Sequence, residues 1–118
     1  MYRESPFVSG KSDIEAYRYT SVINTEQLTD VFRALANPIR LGILLRLREE
    51  GETCACDFTE SFGVSQPTIS GHLRTLREAG LVRTRRDGTQ VCYSLDPEAL
   101  EAAELAIRKL RSGLAAAA

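Results

Sequence analysis

The chain has one histidine, three cysteines and no apolar run approaching the length of a membrane span. Each scarcity removes a class of function. No basic-then-apolar leader opens the sequence, so the chain is expected to stay in the cytoplasm, with no membrane partner. Its cysteines are then expected as thiols rather than structural disulfides. There is no Cys-x-x-Cys motif and no phosphate-binding loop, so a small thiol enzyme lacks the parts it needs, and no enzyme is expected. His72 flanks an apolar helix stripe, which suits a satisfied core-edge position or a phosphate contact better than a metal ligand. An excess of basic charge is missing too: the net charge is −1. One hundred and eighteen residues make one domain, small for a monomer and comfortable as half of a dimer.

What is present is organised around Ser65 to Gly80. Ser65 is a good helix N-cap, Pro67 suits a first turn, and Gly80 stops the helix. Ile69, Leu73 and Leu76 recur at helical spacing and form one narrow apolar stripe. The opposite face carries Thr68, Ser70, Gly71, Arg74 and Thr75, with Gln66 at its start. It is small, hydroxylated and cationic, as a helix lying in a DNA major groove must be. A solvated surface helix is the competing reading, and the next segment decides between them.

Two strand-like runs follow, flanking Asp87-Gly88, a strong hairpin signal. Arg83, Arg85 and Arg86 crowd the outgoing strand. From Val64 to Leu95 five arginines stand against Glu78 and Asp87, a local charge of +3 in a net-acidic chain. Asp57 to Phe62, with Gly63 in the turn, completes a helix-turn-helix. The expected fold is mainly α with a small β-hairpin: a winged helix-turn-helix bound to double-stranded DNA, its wing on the sugar-phosphate backbone.

Three segments are expected. Residues 1–23 form an arm, flexible or docked on a partner subunit. Residues 24–96 form the DNA-binding domain. Within it, Asn24 opens a helix with the stripe Leu28, Val31, Phe32 and Leu35, and Asn37-Pro38 starts the next, with Ile39, Ile43, Leu44 and Leu47 inward. Residues 97–118 form a terminal helix, capped by Asp96 and frayed from Ala115. Its Leu100, Ala103, Ile107, Leu110 and Leu114 make an a/d seam, which points to a homodimer through terminal helices.

Cys54-Ala55-Cys56 is the chemical signature. On an extended segment both sulfurs project to one side and can chelate one soft ion, and the adjoining helix N-terminus favours thiolate. SQPTISGHLRTLREAGLV, FRALANPIRLGILLRL and CACDF together resemble the ArsR/SmtB family of metal-responsive repressors, over roughly Leu28 to Leu95. The resemblance implies operator binding as a homodimer and release by arsenite or antimonite at Cys54 and Cys56. Some relatives carry a third cysteine where this chain has Thr59. Cys92 is the candidate third metal ligand if Thr53 to Ala55 pairs with the returning wing strand, which would place it on the same sheet face as Cys54. The alternative for Cys92 is a small packing residue. With one histidine, the His/carboxylate zinc site of some relatives cannot form. The arm lacks the cysteines of cadmium and lead sensors, which makes those metals a weaker alternative. The main rival is a thiol-redox or persulfide-sensing repressor of the same fold. A Cys54–Cys56 disulfide is disfavoured by spacing, and one to Cys92 stays open.

Overall fold

The computed structural model describes residues 25–117, with side chains through residue 112. The arm, the Asn24 cap and the side chain of Leu114 lie outside the described residues.

Helix α1 (Thr25–Leu35) buries Leu28, Val31 and Ala34. Asn37 then breaks the chain and caps α2 (Pro38–Glu50), its Oδ1 accepting from the amides of Ile39 and Arg40 at 2.9 and 3.1 Å. That satisfies two of the amides a helix start leaves open. Ile43, Leu44 and Leu47 form the inward face, and Gly51 ends the helix at a positive φ of 77°. A two-residue strand β1 (Thr53–Cys54) leads directly into α3 (Ala55–Phe62).

Gly63, left-handed, turns the chain from α3 toward α4 (Gln66–Glu78). Helix α4 buries Ile69, Leu73 and Leu76 as its stripe requires. Its end is a Schellman closure: Gly80 N donates to Arg77 O, and Leu81 N to Leu76 O, both at 3.0 Å. Strands β2 (Val82–Asp87) and β3 (Gln90–Leu95) make the hairpin, and β3 also pairs with β1, giving an antiparallel sheet in the order β1-β3-β2. The turn is shifted by one residue from expectation. Asp87 still pairs with Gln90, so the loop is Gly88-Thr89, with positive φ only at Gly88, the pattern of a type II′ turn.

Helix α5 (Pro97–Ala117) starts at Asp96, whose Oδ1 accepts from the Glu98 amide at 3.2 Å. It continues through Ala117, beyond the fraying point expected at Ala115. The core joins Val31, Ile43, Phe58, Ile69, Leu73, Leu76 and Leu81, all essentially inaccessible, to Ala99 and Ala103 of α5. Burying each large aliphatic side chain contributes about 1.5–3 kcal/mol. Helix α3 is seated on α2 by Arg46, which donates to Asp57 O at 3.0 Å, bonds Ser61 Oγ and lies 5.4 Å over the Phe58 ring. Gly42 of α2 permits the close approach, because a Cβ there would stand 2.8 Å from Phe62 Cε1. Among the described residues no helix is long and apolar enough to cross a membrane. The architecture is the winged helix-turn-helix expected: α3 and α4 are the paired helices, and the β2–β3 hairpin is the wing.

Candidate nucleic-acid interface and thiol cluster

The outward face of α4 follows from its cap and its stripe. Ser65 Oγ accepts from the Thr68 amide at 3.4 Å and lies 3.0 Å from Thr68 Oγ1, which locks the first turn. With Ile69, Leu73 and Leu76 buried, Gln66, Thr68, Ser70, Gly71, Arg74 and Thr75 are all exposed. Thr75 Oγ1 donates back to Gly71 O at 3.1 Å. Gln66, Ser70 and Arg74 make no side-chain hydrogen bond or ion pair among the described residues, so their donors and acceptors stay available. Nothing lies within 4 Å of where a Gly71 Cβ would be, so the face is open at its centre.

Behind this face His72 ties α4 to the preceding helices. Arg40 Nε and Nη2 donate to Ala34 O at 2.8 Å and to Arg33 O at 3.0 Å, the latter also accepting from the Ala36 amide, and so tie α2 to the end of α1. Its Nη1 reaches His72 Nδ1 at 3.2 Å. Arginine can only donate, so Nδ1 accepts and the imidazole carries its proton on Nε2. Burial, and then the Arg40 charge, push the His72 pKa down. Arg40 therefore serves as a structural clamp, as its position on a packed helix suggests.

The three wing arginines do not act as one cluster. Strand alternation puts Arg83 and Arg85 on one sheet face and Arg86 on the other. Arg83 lies 3.9 Å from Asp96. Arg85 grips Glu52 through two hydrogen bonds, at 2.9 and 2.6 Å, which hold the Glu52 carboxyl below its usual pKa and raise that of the guanidinium. Arg86 is exposed and makes no ion pair among the described residues. Sequence spacing could not separate these roles, because they depend on which acids the sheet register brings alongside.

The cysteines gather on the β1 side of the sheet, with Cys54 on the edge strand and Cys92 on the central one. Cys54 pairs with Cys92 in the β1–β3 register, as the strand pairing of Thr53 requires, and Cys92 in turn pairs with Arg85. Cys54 and Cys92 therefore share a face, and they are joined in a disulfide. Cys92 is 1% exposed, as deeply placed as the core leucines. The extended Cys-x-Cys geometry is corrected. Helix α3 begins at Ala55, two residues before the expected start, so Cys54 is its N-cap and Cys56 lies in its first turn. Alanine favours helix, and a start at Ala55 places Asp57 in the positive first turn. Cys56 is exposed and free, with Sγ 3.8 Å from Asp57 Oδ1 and 3.9 Å from Gln90 Oε1. Among the described residues no group of three His, Cys, Asp or Glu side chains is set to hold a metal ion. In this state the thiols do not form a chelate.

The seam residues of α5 divide as well. Ala103 is buried in the chain's own core and Leu100 packs against it. Ile107 and Leu110 are 54% and 74% exposed. Phe32 and Leu35, from the apolar stripe of α1, line a shallow apolar groove of about 430 Å³ with Leu100, Ala103 and Ile107.

Residues 37–84 match the family described as "Bacterial regulatory protein, arsR family". The chain is 47% identical over 68 residues to the arsenic resistance transcriptional regulator ArsR1 of Pseudomonas putida, covering 58% of this chain and 53% of that one. It is 49% identical over 67 residues to the arsenical resistance operon repressor of Escherichia coli, covering 57% of each. The match thus spans little more than half the length of these curated relatives. A crystal structure of an ArsR family transcriptional regulator, RHA00566, superposes with a TM-score of 0.69 at 28% identity, covering 74% of this chain and 89% of that one. These are named as transcriptional regulators, not as enzymes. Fold, matched segment and relatives agree: the chain belongs to the ArsR family of bacterial regulatory proteins.

Proposed function

We propose that the protein is a cytoplasmic transcriptional repressor that binds operator DNA as a homodimer and releases it when arsenite or antimonite binds through Cys54 and Cys56. The observation that carries the DNA-binding part is the exposed face of α4, where Gln66, Ser70 and Arg74 have no partner among the described residues. That face can enter a major groove, with Arg74 and Ser70 within reach of bases and Arg86 of the wing against phosphate. Arg83 and Arg85 contribute less to DNA, since each already faces an acid.

The homodimer is supported by Ile107 and Leu110, large apolar side chains left exposed beside the α1–α5 groove. A second copy brought against this face buries them and sets two α4 helices on one duplex. The domain limits follow: residues 24–96 bind DNA, and 97–118 dimerise. The metalloid is supported by the names of the relatives, which concern arsenic and arsenical resistance. Thiolate donors at Cys54 and Cys56 suit a soft trivalent acceptor, and a metalloid held there would pull on the cap and first turn of α3. A redox-sensing repressor is the second reading, favoured by the Cys54–Cys92 disulfide.

Selection of bound duplexes from a random pool tests the reading. The expected product is a two-fold symmetric site with half-sites about 34 Å apart, released by arsenite. Recovery of no preferred sequence, or release by peroxide and never by arsenite, would overturn it in favour of non-specific binding or of the redox reading.

A further inference from the structure

Metalloid binding needs Cys54 as a thiol, and in the structure its sulfur is bonded to Cys92 across the β1–β3 pair. Cys56 is then the free cysteine, and a single thiolate gives trivalent arsenic no chelate. Cys56 nonetheless lies against the strand that carries Cys92. Gln90 stands two residues before Cys92 on the same face of β3, and its Oε1 is 3.9 Å from Cys56 Sγ. Access is unequal: Cys92 is buried, Cys54 is half-buried and Cys56 is exposed.

We propose, resting on the metalloid reading above, that the Cys54–Cys92 disulfide is a reducible lock on the inducer site. The oxidised chain is closed to trivalent metalloids, and reduction frees Cys54 and supplies Cys92 as the third sulfur. Closing the lock consumes two thiols and one peroxide. The S–S bond forms, the O–O bond breaks, and both thiol protons leave on the oxygens as water or alcohol. Opening consumes two equivalents of a low-molecular-weight thiol. The first attacks the accessible Cys54 sulfur and expels Cys92 as thiolate, which takes up a proton. The second attacks the mixed disulfide, releases Cys54 and departs as the small-molecule disulfide. Arsenous acid then exchanges hydroxyl for sulfur, each As–S bond releasing one water that carries the thiol proton. The repressor would thus answer to metalloid only where thiols are kept reduced.

The test uses the full chain, one sample oxidised with an equivalent of hydrogen peroxide and one reduced with a phosphine and desalted. Free thiols are counted, the disulfide is located by peptide mapping, and each sample is mixed with sodium arsenite. Native mass and arsenic X-ray absorption are the readouts. The oxidised chain should show one thiol and no arsenic adduct, and the reduced chain three thiols and one arsenic on three sulfurs. Cys92→Ser cannot form the lock, so it should take up arsenic on two sulfurs in both samples. Arsenic uptake by a chain with the Cys54–Cys92 bond verified would overturn the lock, as would Cys54 and Cys92 that stay thiols under peroxide. A reduced chain that takes up no arsenite would overturn the metalloid reading and the lock with it. That failure is distinguishable, because the thiol counts would still follow the oxidation state.

Discussion

Arg85 closes on both carboxylate oxygens of Glu52, at 2.9 and 2.6 Å, and so holds the wing to the loop before β1. Its neighbour Arg86, on the opposite sheet face, has no such partner among the described residues. The two adjacent arginines should therefore differ in their effect on DNA. Arg86→Ala should lower affinity for any duplex and reduce the salt slope by about 0.9 for each phosphate it no longer neutralises. Arg85→Ala should leave that slope nearly unchanged. Binding measured across a series of salt concentrations distinguishes them, and an equal fall in slope for both would show that Glu52 releases Arg85 on the duplex.

On α4, Arg74→Ala and Ser70→Ala should weaken specific binding while the helix stays intact, since neither side chain packs inside the fold. Removing a side chain that reads a base costs about 1–3 kcal/mol. The effect should appear against the selected site and shrink against random duplex. Unchanged affinity in both variants would remove α4 as the reading helix.

The parts legible in the sequence are those fixed by local chemistry. Ser65, Pro67 and Gly80 delimit α4, Asn37-Pro38 delimits α2, and Asp96-Pro97 starts α5, because caps and breakers act within a few residues. The hairpin is legible in kind and misplaced by one residue, since Asp87 can end a strand as readily as open a turn. What depends on tertiary register is not legible. Glu52 and Arg85 meet only through the order β1-β3-β2, and Arg40 finds His72 only once α2 lies against α4. The inward side of a stripe is likewise ambiguous at its margins: Phe32 follows the helical period of α1 yet remains 38% exposed. The thiols show both sides. Pairing of β1 with β3 is readable from the winged-helix pattern, but the early start of α3 takes Cys56 off the strand.

Dimerisation should fail before folding does. Ile107→Glu places a charge where the side chain is 54% exposed in the single chain, so the monomer fold bears little cost. In a dimer the same charge is buried without a partner. Self-association should weaken at least tenfold, about 1.4 kcal/mol, with helix content kept by circular dichroism. Ala103→Glu, at a buried position, should lose both. Sedimentation as an unchanged dimer with Ile107→Glu would place the interface elsewhere.

Inducer response should separate from DNA binding. Cys54→Ser and Cys56→Ser keep side-chain size but replace a soft thiolate with a hard neutral hydroxyl. Each variant, reduced, should bind operator as the parent does and resist release by arsenite. Parent-like release with either variant would exclude that sulfur as an inducer ligand.

Stability should depend on pH through His72. Its folded pKa lies below the ordinary value of about 6.5, because burial and Arg40 disfavour the imidazolium. Above the ordinary value both folded and unfolded states hold a neutral ring, and His72 makes no difference. As pH falls through it, the unfolded chain takes up a proton that the native state resists, so the folded state loses stability. The loss continues until the native ring is protonated too. Protonation of Nδ1 also removes the acceptor for Arg40 Nη1, which loosens α4 from the α1–α2 corner. Glu52, whose pKa is also lowered, acts in a separate window. Its contribution is present above an ordinary carboxylate pKa and is lost only in more acidic solution. His72→Gln keeps an acceptor for Arg40 without a titrating group. Between about pH 7.5 and pH 5, spanning the ordinary imidazole pKa, the parent's melting temperature should fall more steeply than that of His72→Gln. Parallel curves for the two proteins would show that His72 does not carry the dependence.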